Sequence, residues 1–191
     1  MLRGKLVNIR AIERSDLPLI HRWMNDEEVT YWWTIPGNMV SQAATDAGFE
    51  HDLSSPPRMV RYIMETKDGL PIGFILYMDM DLRNRRAELG ALIGEKEYWS
   101  KGYGTDAMLT FMDYLFGERN LHKVFLRTLA YNHRAQRAIE KCGFVKEGVF
   151  RDDFYVLGEW HDSLWYSVLD SEHYARRPRG KQAQTVVTAK G

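Results

Sequence analysis

At 191 residues, 45% of them hydrophobic and 27% charged, the chain has the size and composition of one soluble domain with a sizeable core. Lysine plus arginine and aspartate plus glutamate number 26 each, so no net charge draws it to nucleic acid or to an anionic membrane. Its one cysteine, Cys142, excludes an internal disulfide and a multi-cysteine metal site and fits a reducing cytoplasm, and no apolar run reads as a signal core or a membrane span.

Leu6–Arg10 alternates and predicts a strand. Ser15 is then expected to cap a helix running to about Asn25, with Leu17, Ile20, His21 and Met24 on one face. Pro18 falls in its first turn, where a missing N–H is tolerated. The run Asp26-Glu27-Glu28-Val29-Thr30-Tyr31-Trp32-Trp33 is acidic, then aromatic. Carboxylates attract an ammonium and aromatic faces bind it by cation–π contact, so Glu28, Tyr31 and Trp32 are candidate amine contacts. The same run also reads as a helix terminus followed by core aromatics. Pro36-Gly37-Asn38 marks a turn, Val40–Leu53 a weaker helix, and Ser54-Ser55-Pro56-Pro57 its end. Arg58–Thr66 and Pro71–Asp81 pair across the turn Lys67-Asp68-Gly69, and Arg83-Asn84-Arg85 leads into a third strand, Arg86–Ile93.

The stretch Trp99-Ser100-Lys101-Gly102-Tyr103-Gly104-Thr105 follows that strand and opens a helix, Gly104–Phe116, with Ala107, Met108, Phe111, Met112 and Leu115 at helical spacing. Two glycines let the backbone bend and approach a ligand closely, and free N–H groups at a helix start favour a phosphate or pyrophosphate. A plain tight turn uses the same two glycines, so the stretch alone leaves both readings open. No Walker A loop is present, and the next strand lacks the acidic end of a dinucleotide fold. Gly117 is expected to stop the helix, Lys123–Leu129 is a strand, and Asn132 caps a helix running to Lys141 and ended by Gly143. Phe144 enters a further strand, and Phe150–Tyr155 with Glu159–Val168 form a last hairpin turning at Leu157-Gly158. Beyond Tyr174 the chain is basic and core-poor, so residues 1–174 are expected to form one domain and 175–191 a mobile tail.

This order, β-αα-βββ-α-β-α-ββ, resembles the GNAT family of acyl-CoA N-acyltransferases. The resemblance rests on Gly102-Tyr103-Gly104, which meets the family's Gln/Arg-x-x-Gly-x-Gly/Ala motif, and on Asn132-His133-Arg134-Ala135 followed by Gly143-Phe144. Arg85-Arg86-Ala87-Glu88, Asn120-Leu121-His122-Lys123, Glu147-Gly148 and Tyr31-Trp32 are similar to the branch of spermidine and ribosomal-protein N-terminal acetyltransferases. It implies an α/β fold: a mixed, mostly antiparallel sheet of about seven strands flanked by about four helices. It also implies acetyl-CoA as co-substrate, no metal, and as acceptor a small polyamine-like amine or a peptide N-terminus. A homo-oligomer is compatible with it.

The resemblance further implies site roles. Backbone N–H groups of Leu92 or Ile93 orient pantetheine and polarise the carbonyl. Trp99, Ser100, Lys101, Gly102, Tyr103, Gly104 and Thr105 cradle pyrophosphate. Asn132, Arg137 and Lys141 are further cofactor contacts, although the first also reads as a helix cap and the other two as a solvated face. Glu88 is the candidate base and Tyr131 the nearest alternative hydroxyl. Two positions depart from the pattern. Trp99 replaces the Gln/Arg, and Ile139 stands where many members place the tyrosine that protonates the departing thiolate. A thiol pKa of about 8.5 makes that acid helpful rather than obligatory. The missing tyrosine keeps a second class open, a non-catalytic acyl-CoA-binding sensor or interaction protein. Cys142 has no histidine base in its motif, and His21, His51, His122, His133, His161 and His173 show no paired metal spacing.

Overall fold

The computed structural model describes residues 1–33, 39–54 and 58–177. The turn at Pro36-Gly37-Asn38, the stop at Ser55-Pro56-Pro57 and the basic segment past Arg177 lie outside them. Eight strands form one sheet: β1 (Leu2–Arg3), β2 (Val7–Ala11), β3 (Met59–Thr66), β4 (Pro71–Asp81), β5 (Arg86–Ile93), β6 (Lys123–Leu129), β7 (Val145–Val156) and β8 (Glu159–Leu169). Six α-helices accompany them: α1 (Leu17–Met24), α2 (Glu27–Tyr31), α3 (Gln42–Ser54), α4 (Tyr103–Gly117), α5 (His133–Lys141) and α6 (Asp170–Arg176). The expected seven strands and four helices thus become eight and six among the described residues. The additions are short. The strand β1 has two residues, and α2 is a single turn held by Asp26, whose side chain accepts from Glu28 N and Val29 N. The helix α6 extends to Arg176, past Tyr174.

The sheet order is β1-β2-β3-β4-β5-β6-β8-β7, antiparallel everywhere except between β5 and β6. Alternation along the strands divides the core. Val7, Ile75, Ala87, Leu89, Val124, Leu126 and Tyr166 pack against α4 and α5. Ile63, Phe74, Leu76 and Leu92 pack on the opposite face against α1 and α2 through Leu17, Ile20, Trp23 and Val29.

Four local expectations are corrected. Ser15 does not cap α1: Asp16 closes the preceding turn by accepting from Glu13 N, and its carboxylate also takes both Arg10 Nη atoms. The buried face of α1 is Leu17, Ile20 and Trp23 rather than one including His21. Gly117 lies inside α4, and the left-handed residue that turns the chain afterwards is Asn120, at φ 53°. The two strands expected after Phe144 are one, β7, interrupted by bulges at Lys146–Gly148 and Phe150–Phe154.

Candidate active site

The cleft begins where two strands stop pairing. The parallel strands β5 and β6 are in register only at Arg86, Ala87 and Glu88, against Lys123, Val124 and Phe125. Beyond that point Leu89–Ile93 and Leu126–Thr128 line opposite walls of a cavity of about 460 Å³. Gly94 N donates to Ile72 O across β4, whereas Arg85 O accepts from His122 N and Lys123 N on the β6 side. Strand alternation therefore turns the N–H groups of Leu89, Ala91 and Ile93 toward the cleft and that of Leu92 toward β4. Of the two expected backbone donors, Ile93 is the one that faces the space between the strands.

The floor continues into the loop before α4. Ser100 and Gly102 both adopt positive φ, 60° and 90°, which turns successive N–H groups toward one side. Gly102 is the N-cap of α4 and offers no side-chain acceptor, so the first-turn N–H groups lack a side-chain partner. The two glycines have different reasons to be there. Gly102 needs its left-handed conformation, as a turn does. Gly104 has an ordinary φ, and a Cβ added there meets nothing within 4 Å. The fold does not require a glycine at 104. Asp106, in the same turn, points away. Its carboxylate accepts from Lys5 N, Leu6 N and Val7 N at 3.0, 2.7 and 3.0 Å, so it ties β2 to the helix and leaves the cradle free of negative charge.

Trp99, Ser100, Gly102, Gly104 and Thr105 line the cleft, with Asn132, Arg137, Ile139 and Lys141 from the α5 side. Lys101 and Tyr103 do not line it; Tyr103 packs edge-on against Tyr98. Asn132 does two jobs: its Oδ1 caps Ala135 N at 3.1 Å, and its Nδ2 donates to Trp32 O at 3.4 Å. That second bond docks the end of α2 against α5. Sequence reasoning missed Arg134, which lies over the Trp99 ring at 4.0 Å and the Trp32 ring at 5.2 Å. Trp99 Nε1 donates to Ile93 O at 2.8 Å, which fixes the ring. The indole at the motif's Gln/Arg position thus recruits a cation from α5. The spacing of Arg134, two residues past the cap, was the only signal for it.

Glu88 stands where the strands part, on the face opposite α4. It is 8% exposed and pairs with Arg127 Nε at 3.3 Å. Burial raises its pKa; Arg127 opposes that shift, Asp79 adds to it and Arg58 opposes it. Glu88 lines the cleft, and a carboxylate there with a raised pKa is a candidate proton acceptor.

The remaining candidates separate. Tyr131 is stacked on Tyr31 at 5.2 Å and donates to Tyr31 O at 3.4 Å, and burial pushes its hydroxyl to about 12. Neither tyrosine lines the cleft, whereas Trp32 does. Glu28 lies outside it and binds Lys96 Nζ at 3.0 Å. Burial pushes the Cys142 thiol up to about 12, so it stays protonated. Among the described residues no cluster of three histidine, cysteine or acidic side chains is placed to hold a metal, and no helix is long and apolar enough to cross a membrane.

Comparison with known proteins agrees with this geometry. The model of the acetyltransferase (GNAT) domain matches residues 7–145. A spermidine N(1)-acetyltransferase of Vibrio cholerae is 28% identical over 171 residues, 89% of this chain and 96% of its own length. A putative ribosomal N-acetyltransferase of Bacillus subtilis, YdaF, is 37% identical over 105 residues, 55% of this chain and 57% of its own. The crystal structure of spermidine N-acetyltransferase from Vibrio cholerae in complex with CoA and spermine superposes with a TM-score of 0.83 at 26% identity, covering 89% of this chain and 99% of that one. The split between β5 and β6, the glycine cradle at α4 and the matched domain make this chain a member of the GNAT acetyltransferase family.

Proposed function

We infer that the chain transfers an acetyl group from acetyl-CoA to a primary amine by direct attack within a ternary complex. The observation that carries this is Gly104, a glycine that the protein's own packing does not need, at the uncapped start of α4 and at the mouth of the split sheet. The N–H groups at the start of α4 would hold the pyrophosphate, with Arg134, Arg137 and Lys141 supplying positive charge nearby. Acetyl-CoA supplies an activated carbonyl and a stable thiolate leaving group. The N–H groups of Ala91 and Ile93 would donate to the carbonyl oxygen as negative charge builds on it. Glu88 takes the ammonium proton, directly or through water, because an ammonium has no lone pair with which to attack. Holding both reactants in one cleft supplies much of the rest.

The second reading, an acyl-CoA-binding sensor, is favoured by one observation: Ile139, buried and lining the cleft, has no proton to give. Release of CoA thiol from acetyl-CoA, followed across polyamines, peptides, aminoglycosides, amino sugars and amino acids, separates the two. Amine-dependent release supports transfer. Acetyl-CoA binding without release for any amine supports the sensor.

A further inference from the structure

We propose that the amine acetylated here carries its own carboxylate, as a small amino acid does, and that Arg127 is the group that recognises it. The proposal rests on the acetyl-transfer reading above. Strand alternation places Arg127 on the Glu88 face with Phe125 and Trp165, away from α4 and α5. Its guanidinium lies over the rings of Phe154 and Trp165, 5.3 Å from each centroid, and its Nε faces Glu88 at 3.3 Å. A carboxylate beside aromatic faces is how a site would hold a substrate ammonium. Here the protein's own cation occupies that arrangement.

The other carboxylates nearby are also committed. Asp79 is bound by Arg58, and Asp153 accepts from Ser163. Asp26 and Glu28, the acidic run expected to attract an amine, share Lys96 at 2.9 and 3.0 Å. At the Glu88 end of the cleft, Arg58 pairs with Asp79 and Arg127 pairs with Glu88. A polyamine entering there must sit beside the Arg127 guanidinium. A compact zwitterion meets no such conflict. Its ammonium replaces Arg127 on Glu88 while its carboxylate takes the guanidinium, so every charge stays paired throughout. The planar fork of arginine suits a carboxylate, which it binds through two parallel hydrogen bonds. Two bulges frame this arrangement, one in β4 at Met78–Asp81 beside Asp79 and one in β7 at Phe150–Phe154 that presents Phe154.

The test compares kcat/KM at saturating acetyl-CoA for a set of amino acids, their carboxamides and spermidine. An amino acid and its carboxamide differ in the anion and in the basicity of the amine, and the second difference is the same for every variant of the protein. The wild type is expected to favour the better amino acids over their carboxamides by about tenfold or more, the value of a charge-assisted bond. Arg127→Met is expected to lower that ratio by about tenfold or more relative to the wild type, and Arg127→Lys to lower it less. Loss of the Arg127 charge also alters Glu88, but that effect acts on both substrates and cancels in the ratio. Should Arg127→Met fail to fold, the wild-type and Arg127→Lys ratios decide. Turnover of spermidine or of carboxamides as fast as any amino acid, or a preference that survives Arg127→Met, overturns the proposal and leaves acetyl transfer standing. No thiol release with any amine overturns both.

Discussion

Single residues decide what this cleft can do, and Glu88 is the first of them. Its raised pKa fixes the sign of a pH effect. A base must be ionised to take a proton, so the rate falls as pH drops through that pKa, and the acid limb lies above the ordinary glutamate value of about 4.3. Glu88→Gln is expected to remove the limb and to lower kcat by about a hundredfold. An unchanged profile would exclude Glu88 as the base. Ile139 is the second. A thiolate leaves with little help, so Ile139→Tyr is expected to change kcat/KM by less than about tenfold, with some loss of stability because the site is 5% exposed and already filled. A thousandfold gain would show that the natural site lacks an acid it needs. Glu88 was legible in the sequence as a candidate, whereas Arg127 and Arg134 were not. Alone in a sequence each is an ordinary solvated charge. Only the sheet sets the first against Glu88, and only the packing of α5 sets the second on Trp99.

At the scale of elements, the long periodic segments could be read closely. The bounds of β4, β5 and β6 agree with those expected from their apolar runs and flanking turns, and those of α5 with its cap at Asn132. What could not be read has a physical reason. One-turn and two-residue elements carry no period, and the bulges of β7 break its alternation where the chain presents Phe154. The contact that anchors the cradle is also long-range: Asp106 reaches about a hundred residues back in sequence to three backbone N–H groups. Those are charge-assisted bonds, one of them buried, so Asp106→Ala is expected to cost roughly 2–4 kcal/mol. A domain of this size should then melt roughly 5–15 °C lower. An unchanged melting temperature would show that the N-terminal strands hold to α4 by packing alone.

The whole molecule turns one topological event into a site. A sheet that is antiparallel on both sides has a single parallel pair at β5–β6, and that pair separates after three residues. The helix α4 crosses between the two strands and delivers its uncapped start to the gap, with Asn132 and Arg134 of the α5 region closing the far wall. The two core layers support opposite faces of this split. Gly104→Val probes acetyl transfer at this cleft. A Cβ at 104 meets nothing within 4 Å, so the variant should fold, while under the proposed binding mode its branched side chain stands in the path of the pyrophosphate. Amine-dependent release of CoA thiol is measured for both proteins, beside their melting curves with and without acetyl-CoA. The wild type is expected to release thiol and to be stabilised by acetyl-CoA, by roughly 2.7 kcal/mol at a hundredfold excess over Kd. Folded Gly104→Val is expected to lose both properties. A folded variant that binds and turns over like the wild type would contradict the proposed binding mode.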